Sequence, residues 1–204
     1  NASVPIVCHI DHATNFEECV AGINNGFSSV MFDGSRFTLD ENIARTAAVV
    51  EYCHRYGASV EGEIGFVGYD TGENSEMTNP SEATRLASET GLDALAVSVG
   101  NVHLQQTKKA NIDLHRLSEI EAAVACPLVI HGASGVAAYM RRHLATQTRI
   151  CKFNIGTEFR QCFGNSLRRA LEDETDIFDR IAILNKTRKP LQLIAEEAIE
   201  NLQP

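Results

Sequence analysis

The chain has 204 residues, 44% of them hydrophobic and 22% charged, which is enough for one sizeable core. Its formal net charge of −9 excludes a general nucleic-acid or membrane-surface binder and leaves room for a local pocket holding a small anion. Six cysteines (Cys8, Cys19, Cys53, Cys126, Cys151 and Cys162) form no CxxC pair and read as small apolar residues in a reducing cytosol. No run is apolar for the ~18 residues of a membrane span, and no signal peptide opens the chain.

Short β-rich runs alternate with helical stretches along the chain. The runs cover residues 5–11 (PIVCHID), 28–34 (SSVMFDG), 58–65 (ASVEGEIG), 94–100 (ALAVSVG), 127–133 (PLVIHGA) and 150–156 (ICKFNIG). They are near-continuously apolar, as expected of a parallel sheet covered on its faces. A first helix (NFEECVAGINNG) closes on Gly26. Asp40 reads as the N-cap of a second helix, with Gly57 past its end. Pro80-Ser81-Glu82 opens a third, which Gly91 stops. DLHRLSEIEAAVA and AAYMRRHLATQT complete the series.

Six βα units with short connections mean an α/β fold, either a doubly wound sheet or a (β/α)8 barrel. Polar residues stand at the C-terminal end of nearly every strand: Asp11 and His12, Asp33, Glu61 and Glu63, Asn101 and His103, His131, and Asn154. In a barrel all these ends meet at one mouth, so the expectation is a TIM barrel. The chain opens at Asn1, just before a strand, and supplies six of the eight units. The first two are therefore expected to precede it, making residues 1–204 a single, partial barrel domain with a helical tail from about 158.

His12, His103 and His131 each stand at or just past the end of a different strand, which suits a catalytic zinc with one position left open. Asp11, Asp33 and Glu63 nearby could hold a second cation, position the first or shuttle protons, and each could instead pair with a base such as Lys152. Glu61, one layer deeper than Glu63, reads as a supporting or structural partner of Lys152. HGASG (131–135) and NIGT (154–157) are small-residue turns after the last two strands, where barrels commonly bind phosphate.

HIDHA, SVMFDGS, VEGEIG, SVGNVH, PLVIHGASG and KFNIGTE occur in that order across about residues 4–160. Together they resemble the class II, metal-dependent fructose-bisphosphate/tagatose-bisphosphate aldolase family. The resemblance implies a lyase of carbohydrate metabolism such as glycolysis, cytoplasmic and dimeric or tetrameric, with no nucleic-acid or membrane partner. It would cleave a ketose (bis)phosphate reversibly to dihydroxyacetone phosphate and an aldehyde through a metal-stabilised enediolate. His12, His103 and His131 would bind Zn2+, and Asp11 would exchange the proton of the aldehyde oxygen. Asp33 and Glu63 match an alternative metal position, and a second divalent or a monovalent cation is a further expectation. Leu104, Gly132, Ala133, Ser134, Asn154, Ile155, Gly156 and Thr157 would hold substrate and its phosphate.

Three departures from the family pattern stand out. Leu104 occupies a position where the family usually has Gly. The loop acid that takes the ketone proton has three candidates, Asp70, Glu73 and Glu76. The family's first two strands are absent. The competing readings are a catalytically inactive sugar-phosphate or metal-binding relative, and a zinc hydrolase or isomerase using the same histidines.

Overall fold

The structure is a computed structural model that describes residues 3–203 except Thr71 and Glu73. Six strands form one parallel sheet in sequence order: β1 (His9–Ala13), β2 (Ser29–Phe32), β3 (Ser59–Ile64), β4 (Ala94–Val97), β5 (Leu128–Ile130) and β6 (Ile150–Phe153). Helices α1 (Phe16–Asn24), α2 (Leu39–Arg55), α3 (Pro80–Thr90), α4 (Leu114–Ala123) and α5 (Ala138–Gln147) make the crossovers. Helices α6 (Thr157–Asp173) and α7 (Arg180–Glu200) follow β6 and pack on each other.

The expectation of a (β/α)8 TIM barrel, with its first two units missing from the chain, is corrected: the fold is α/β with a single open sheet. β1 and β6 are the two ends of a six-stranded half-barrel, with no backbone pairing between them. Six strands complete only part of an eight-membered ring, so the sheet curls without closing. The curl still brings the edges within side-chain reach across the concave side. His9 Nε2 lies 3.3 Å from Lys152 Nζ, and Asn154 Nδ2 donates to Asp11 Oδ1 at 2.9 Å.

Alternation along the strands sorts the two faces. Val30, Phe32, Val60, Ile64, Leu95, Val97, Leu128 and Ile130 point outward into the main core beneath the helices. The opposite face carries a small apolar patch of Met31, Ala96 and Val129. The register also puts Glu61 beside Met31 and Ala94, Glu63 beside Ala96, and Lys152 beside Val129. The concave side is therefore polar where an apolar filling would be the default, and that asymmetry positions the site.

Local chemistry explains the element ends, with two adjustments to the sequence reading. The cap of α2 is Thr38, in a reciprocal capping box with Glu41, and Asp40 sits in the first turn. β1 begins at His9, since Pro5–Val7 are exposed and lack a ladder partner. Pro80 lies at the start of α3 behind the Asn79 cap, and Gly91 ends it in the left-handed conformation. No helix among the described residues is long and apolar enough to cross a membrane.

Candidate metal and phosphate site

The C-terminal strand ends open into a cavity of about 370 Å³. Its lining includes Asp11, His12, His103, Leu104, His131, Gly132, Ser134, Asn154, Ile155, Gly156 and Thr157. Of the residues singled out from the sequence, Ala133 lies behind this wall, fully buried. Asp33 and Glu63 flank His12 from the side.

The three imidazoles converge. Their ring centroids are 4.7 Å (His12–His131), 5.1 Å (His12–His103) and 5.7 Å (His103–His131) apart. One nitrogen from each falls within a 4.8 Å group, and a second such group joins His12, Asp33 and Glu63. His12 is shared because its two nitrogens face opposite ways. Nδ1 meets Asp33 Oδ2 at 2.8 Å, and Nε2 meets His131 Nδ1 at 3.0 Å. His12 adopts this aim at φ 57°, where a β-bulge interrupts the β1–β2 register. A non-glycine residue held there costs about 1–3 kcal/mol, a strain that concentrates at functional sites.

Hydrogen bonding tests whether this donor set fits a cation. Glu61 accepts from His131 Nε2 at 2.8 Å and from Lys152 Nζ at 2.7 Å. Burial would raise the Glu61 carboxyl, but His131 and Lys152 outweigh it and hold it below its ordinary value. An ionised Glu61 fixes the His131 proton on Nε2 and leaves the Nδ1 lone pair aimed at His12. Asp33 does the same to His12: burial opposes ionisation, yet the bonds from His12 and Ser35 hold its carboxyl at about 2. The ring nitrogens facing each other at 3.0 Å then need a positive charge between them, a proton or a metal ion. Burial lowers His12, but Asp33, Glu63 and Asp11 outweigh it and raise His12 above its ordinary value, so the surroundings favour that charge. His103 is pushed down to about 4 by burial and then by the other two histidines, so it offers a neutral nitrogen at pH 7. Glu63 is 1% exposed and its Oε2 has no hydrogen-bond partner. Burial, then the nearby Asp33 charge, pushes it up to about 8. These residues fit a divalent ion.

The other half of the cavity suits an anion. Gly132 has φ 62°, and a Cβ there would lie 2.2 Å from the Val102 carbonyl oxygen, so only glycine lets the turn pass. Within Gly132–Gly135 and at the start of α6, the N–H groups of Gly132, Ser134, Gly156 and Thr157 donate to no acceptor among the described residues. Free amides around a helix N-terminus form an anion nest.

With this geometry in hand, comparison with known proteins is decisive. The family description "Fructose-bisphosphate aldolase class-II" matches residues 1–204. The chain belongs to that family. Among solved structures, the YdjI aldolase from Escherichia coli K12 is 31% identical with a TM-score of 0.81, over 98% of this chain and 70% of that one. A putative fructose-1,6-biphosphate aldolase from Coccidioides immitis is 27% identical with a TM-score of 0.82, over 98% of this chain and 72% of that one. A fructose-bisphosphate aldolase from Campylobacter jejuni, 21% identical with a TM-score of 0.76 over 98% of this chain and 70% of that one, shares the fold. This class II aldolase chain therefore spans roughly 70% of each of these neighbours.

Other details of this aldolase lay outside the sequence motifs. Tyr69 lines the cavity and stacks on His103, with centroids 5.2 Å apart and planes at 27°. The loop carrying it is tied to His103 by backbone bonds of 2.8 and 3.1 Å. Of the three loop acids, Glu76 lines a different hollow beside Met77 and Asn79, and exposed Asp70 is not part of the cavity wall. Glu73 lies outside the described residues. Leu104 stands at φ 56°, which accounts for a glycine preference at that position. Arg160, also in the wall, belongs to no motif that marked it as a site residue.

Proposed function

We propose that this aldolase is a zinc-dependent lyase that cleaves a ketose phosphate reversibly into dihydroxyacetone phosphate and an aldehyde. The observation that carries the reading is the pair of imidazole nitrogens, His12 Nε2 and His131 Nδ1, facing each other at 3.0 Å beside an anion nest. His12, His103 and His131 would hold the zinc, and Asp33 and Glu63 with His12 a second cation. A dication at such a site supplies Lewis-acid polarisation of a substrate carbonyl.

The chain's own residues do the rest. Gly132, Ser134, Asn154, Ile155, Gly156 and Thr157, backed by Ala133, bind and orient the phosphate. Leu104 covers the substrate from the side. Asp11, fixed by Asn154 Nδ2 at 2.9 Å, takes the hydroxyl proton on the aldehyde side during cleavage and returns it in condensation. Residues 1–204 act as one aldolase domain with α6 and α7 as its tail, in a cytoplasmic homodimer or homotetramer.

A coupled cleavage assay across several ketose bisphosphates, with and without chelator, tests this. Cleavage abolished by chelator and restored by zinc is expected; chelator-insensitive cleavage would overturn the metal mechanism. The second reading, an inactive sugar-phosphate binder, is favoured by the absence of both described loop acids, Asp70 and Glu76, from the cavity wall. It predicts phosphate and metal binding with no cleavage of any substrate.

A further inference from the structure

Arg141 is the bulkiest of the fully buried side chains, at 0% exposure in a chain of net charge −9. A buried guanidinium is costly unless its donors are used, so where they go is informative. Nε donates to Ala133 O at 2.9 Å and Nη2 to Ser134 O at 3.2 Å. Nη2 also pairs with the Glu158 carboxylate in the first turn of α6. Every acceptor thus belongs to one of the two arms of the anion nest. Glu158 closes the link by donating its backbone N–H to Ser134 Oγ at 3.2 Å. Nη1 is buried without a partner, so the side chain is held for where its fork points, although one donor is left unmet.

Drawing two successive carbonyls back into the protein restricts how the peptide units of the 133–135 turn can rotate. The Ser134 N–H, which has no acceptor among the described residues, belongs to this constrained turn. Through Glu158 the same guanidinium sets the distance between the turn and the Gly156 and Thr157 amides. We propose that Arg141 is the positioning residue of the phosphate cradle: from helix α5 it bolts the 132–135 turn to the N-terminus of α6, so that both present their free amides to one anion. This rests on reading the two turns as a phosphate site. Lysine cannot replace it, because a single ammonium does not reproduce the planar fork that serves two carbonyls and a carboxylate.

The test measures inorganic phosphate binding by calorimetry, and zinc affinity by chelator competition, on the wild type, Arg141→Lys and Glu158→Gln. Phosphate binding weakened tenfold or more in both variants, with zinc affinity within twofold of wild type, is expected. In turnover, the KM for the ketose phosphate should rise by a similar factor while kcat changes far less. A folded Arg141→Lys that binds phosphate within twofold of wild type would overturn the proposal. Where that variant does not fold, Glu158→Gln decides by the same criterion, since Glu158 is partly exposed. A wild type that binds no phosphate refutes both the cradle and its bolt. One that binds phosphate but cleaves nothing refutes only the aldolase reaction.

Discussion

Glu61 sits at the centre of a chain of contacts, and changing it to Gln tests the logic of the metal site. The substitution keeps shape and removes charge at a position only 3% exposed. Glu61 now accepts from two donors, His131 Nε2 at 2.8 Å and Lys152 Nζ at 2.7 Å. A Gln amide has one oxygen and must turn its NH2 towards one of them. Facing Lys152, the NH2 leaves a partly buried ammonium without its carboxylate acceptor and with only His9 Nε2 at 3.3 Å, which costs about 1.5–3 kcal/mol as a lost charged hydrogen bond. Facing His131, it forces the ring proton onto Nδ1, the nitrogen aimed at His12, and removes a ligand lone pair. Loss of an outer carboxylate of this kind typically lowers metal affinity 10–100-fold.

Both losses are measurable. Thermal unfolding of chelator-treated Glu61→Gln should give a Tm about 4–8 °C below wild type, from roughly 2 kcal/mol at a few degrees per kcal/mol. Competition with a chelator should show at least a tenfold weaker zinc affinity if the NH2 faces His131. One of the two effects must appear. Unchanged Tm together with zinc affinity within twofold would refute the tautomer argument.

Three further outcomes follow from individual contacts. Leu104, 44% exposed at φ 56°, trades about 1–2 kcal/mol of left-handed strain against roughly 1 kcal/mol of side-chain burial. Leu104→Gly should therefore be more stable than Leu104→Ala by about 1 kcal/mol in urea unfolding, and equal midpoints would show the strain to be absent. Tyr69→Phe keeps the ring on His103 and should retain zinc affinity, whereas Tyr69→Leu should lose about 2–10-fold, the equivalent of an aromatic contact of 0.5–1.5 kcal/mol; identical affinities would separate the loop from the ligand. Burial pushes the Cys19 thiol up to about 12, so at pH 8 alkylation should reach exposed Cys8 first and Cys19 only on unfolding. A folded-state value above the unfolded one stabilises below about pH 9 and is lost as pH rises towards 12. Alkaline destabilisation should thus be shallower in Cys19→Ala, and an unchanged slope would refute the assignment.

Legibility of the fold and the site differed according to how local each signal was. The six strands and their crossovers could be read because apolar runs bounded by glycine and capping residues are local signals. Gly57, Gly91 and Pro80 behave as their chemistry dictates. Asp40 and Thr38 are both competent caps for α2, two residues apart. The deciding feature is the reciprocal Glu41 bond, which sequence spacing permits for Thr38. The open sheet follows from strand number, since six strands do not complete an eight-membered ring. Convergence of His12, His103 and His131 was readable from their common depth at strand ends. Tyr69 and Arg141 were not, because each acts through a contact made only in the folded chain, with His103 and with the 133–135 turn.

The two glutamates of VEGEIG show why burial alone does not decide what a carboxylate does. Glu61 and Glu63 share one strand and one face, at 3% and 1% exposure, so desolvation opposes ionisation of both. Glu61 meets Lys152 and a donating His131, and stays ionised. Glu63 meets Asp33, a like charge, and its nearest base is His12 Nδ1 at 3.8 Å, already engaged by Asp33 at 2.8 Å. Its Oε2 is left without a donor. Two isolated solutions exist for such a group: hold a proton, or share a cation with its neighbours. Burial, then the Asp33 charge, supplies only the first, raising Glu63 to about 8. The second requires a divalent ion within the 4.8 Å group of His12, Asp33 and Glu63, where the imidazole already links it to the three-histidine cluster. A strand that spends one carboxylate on orienting a ligand and leaves the next unsatisfied beside it is arranged for a cation.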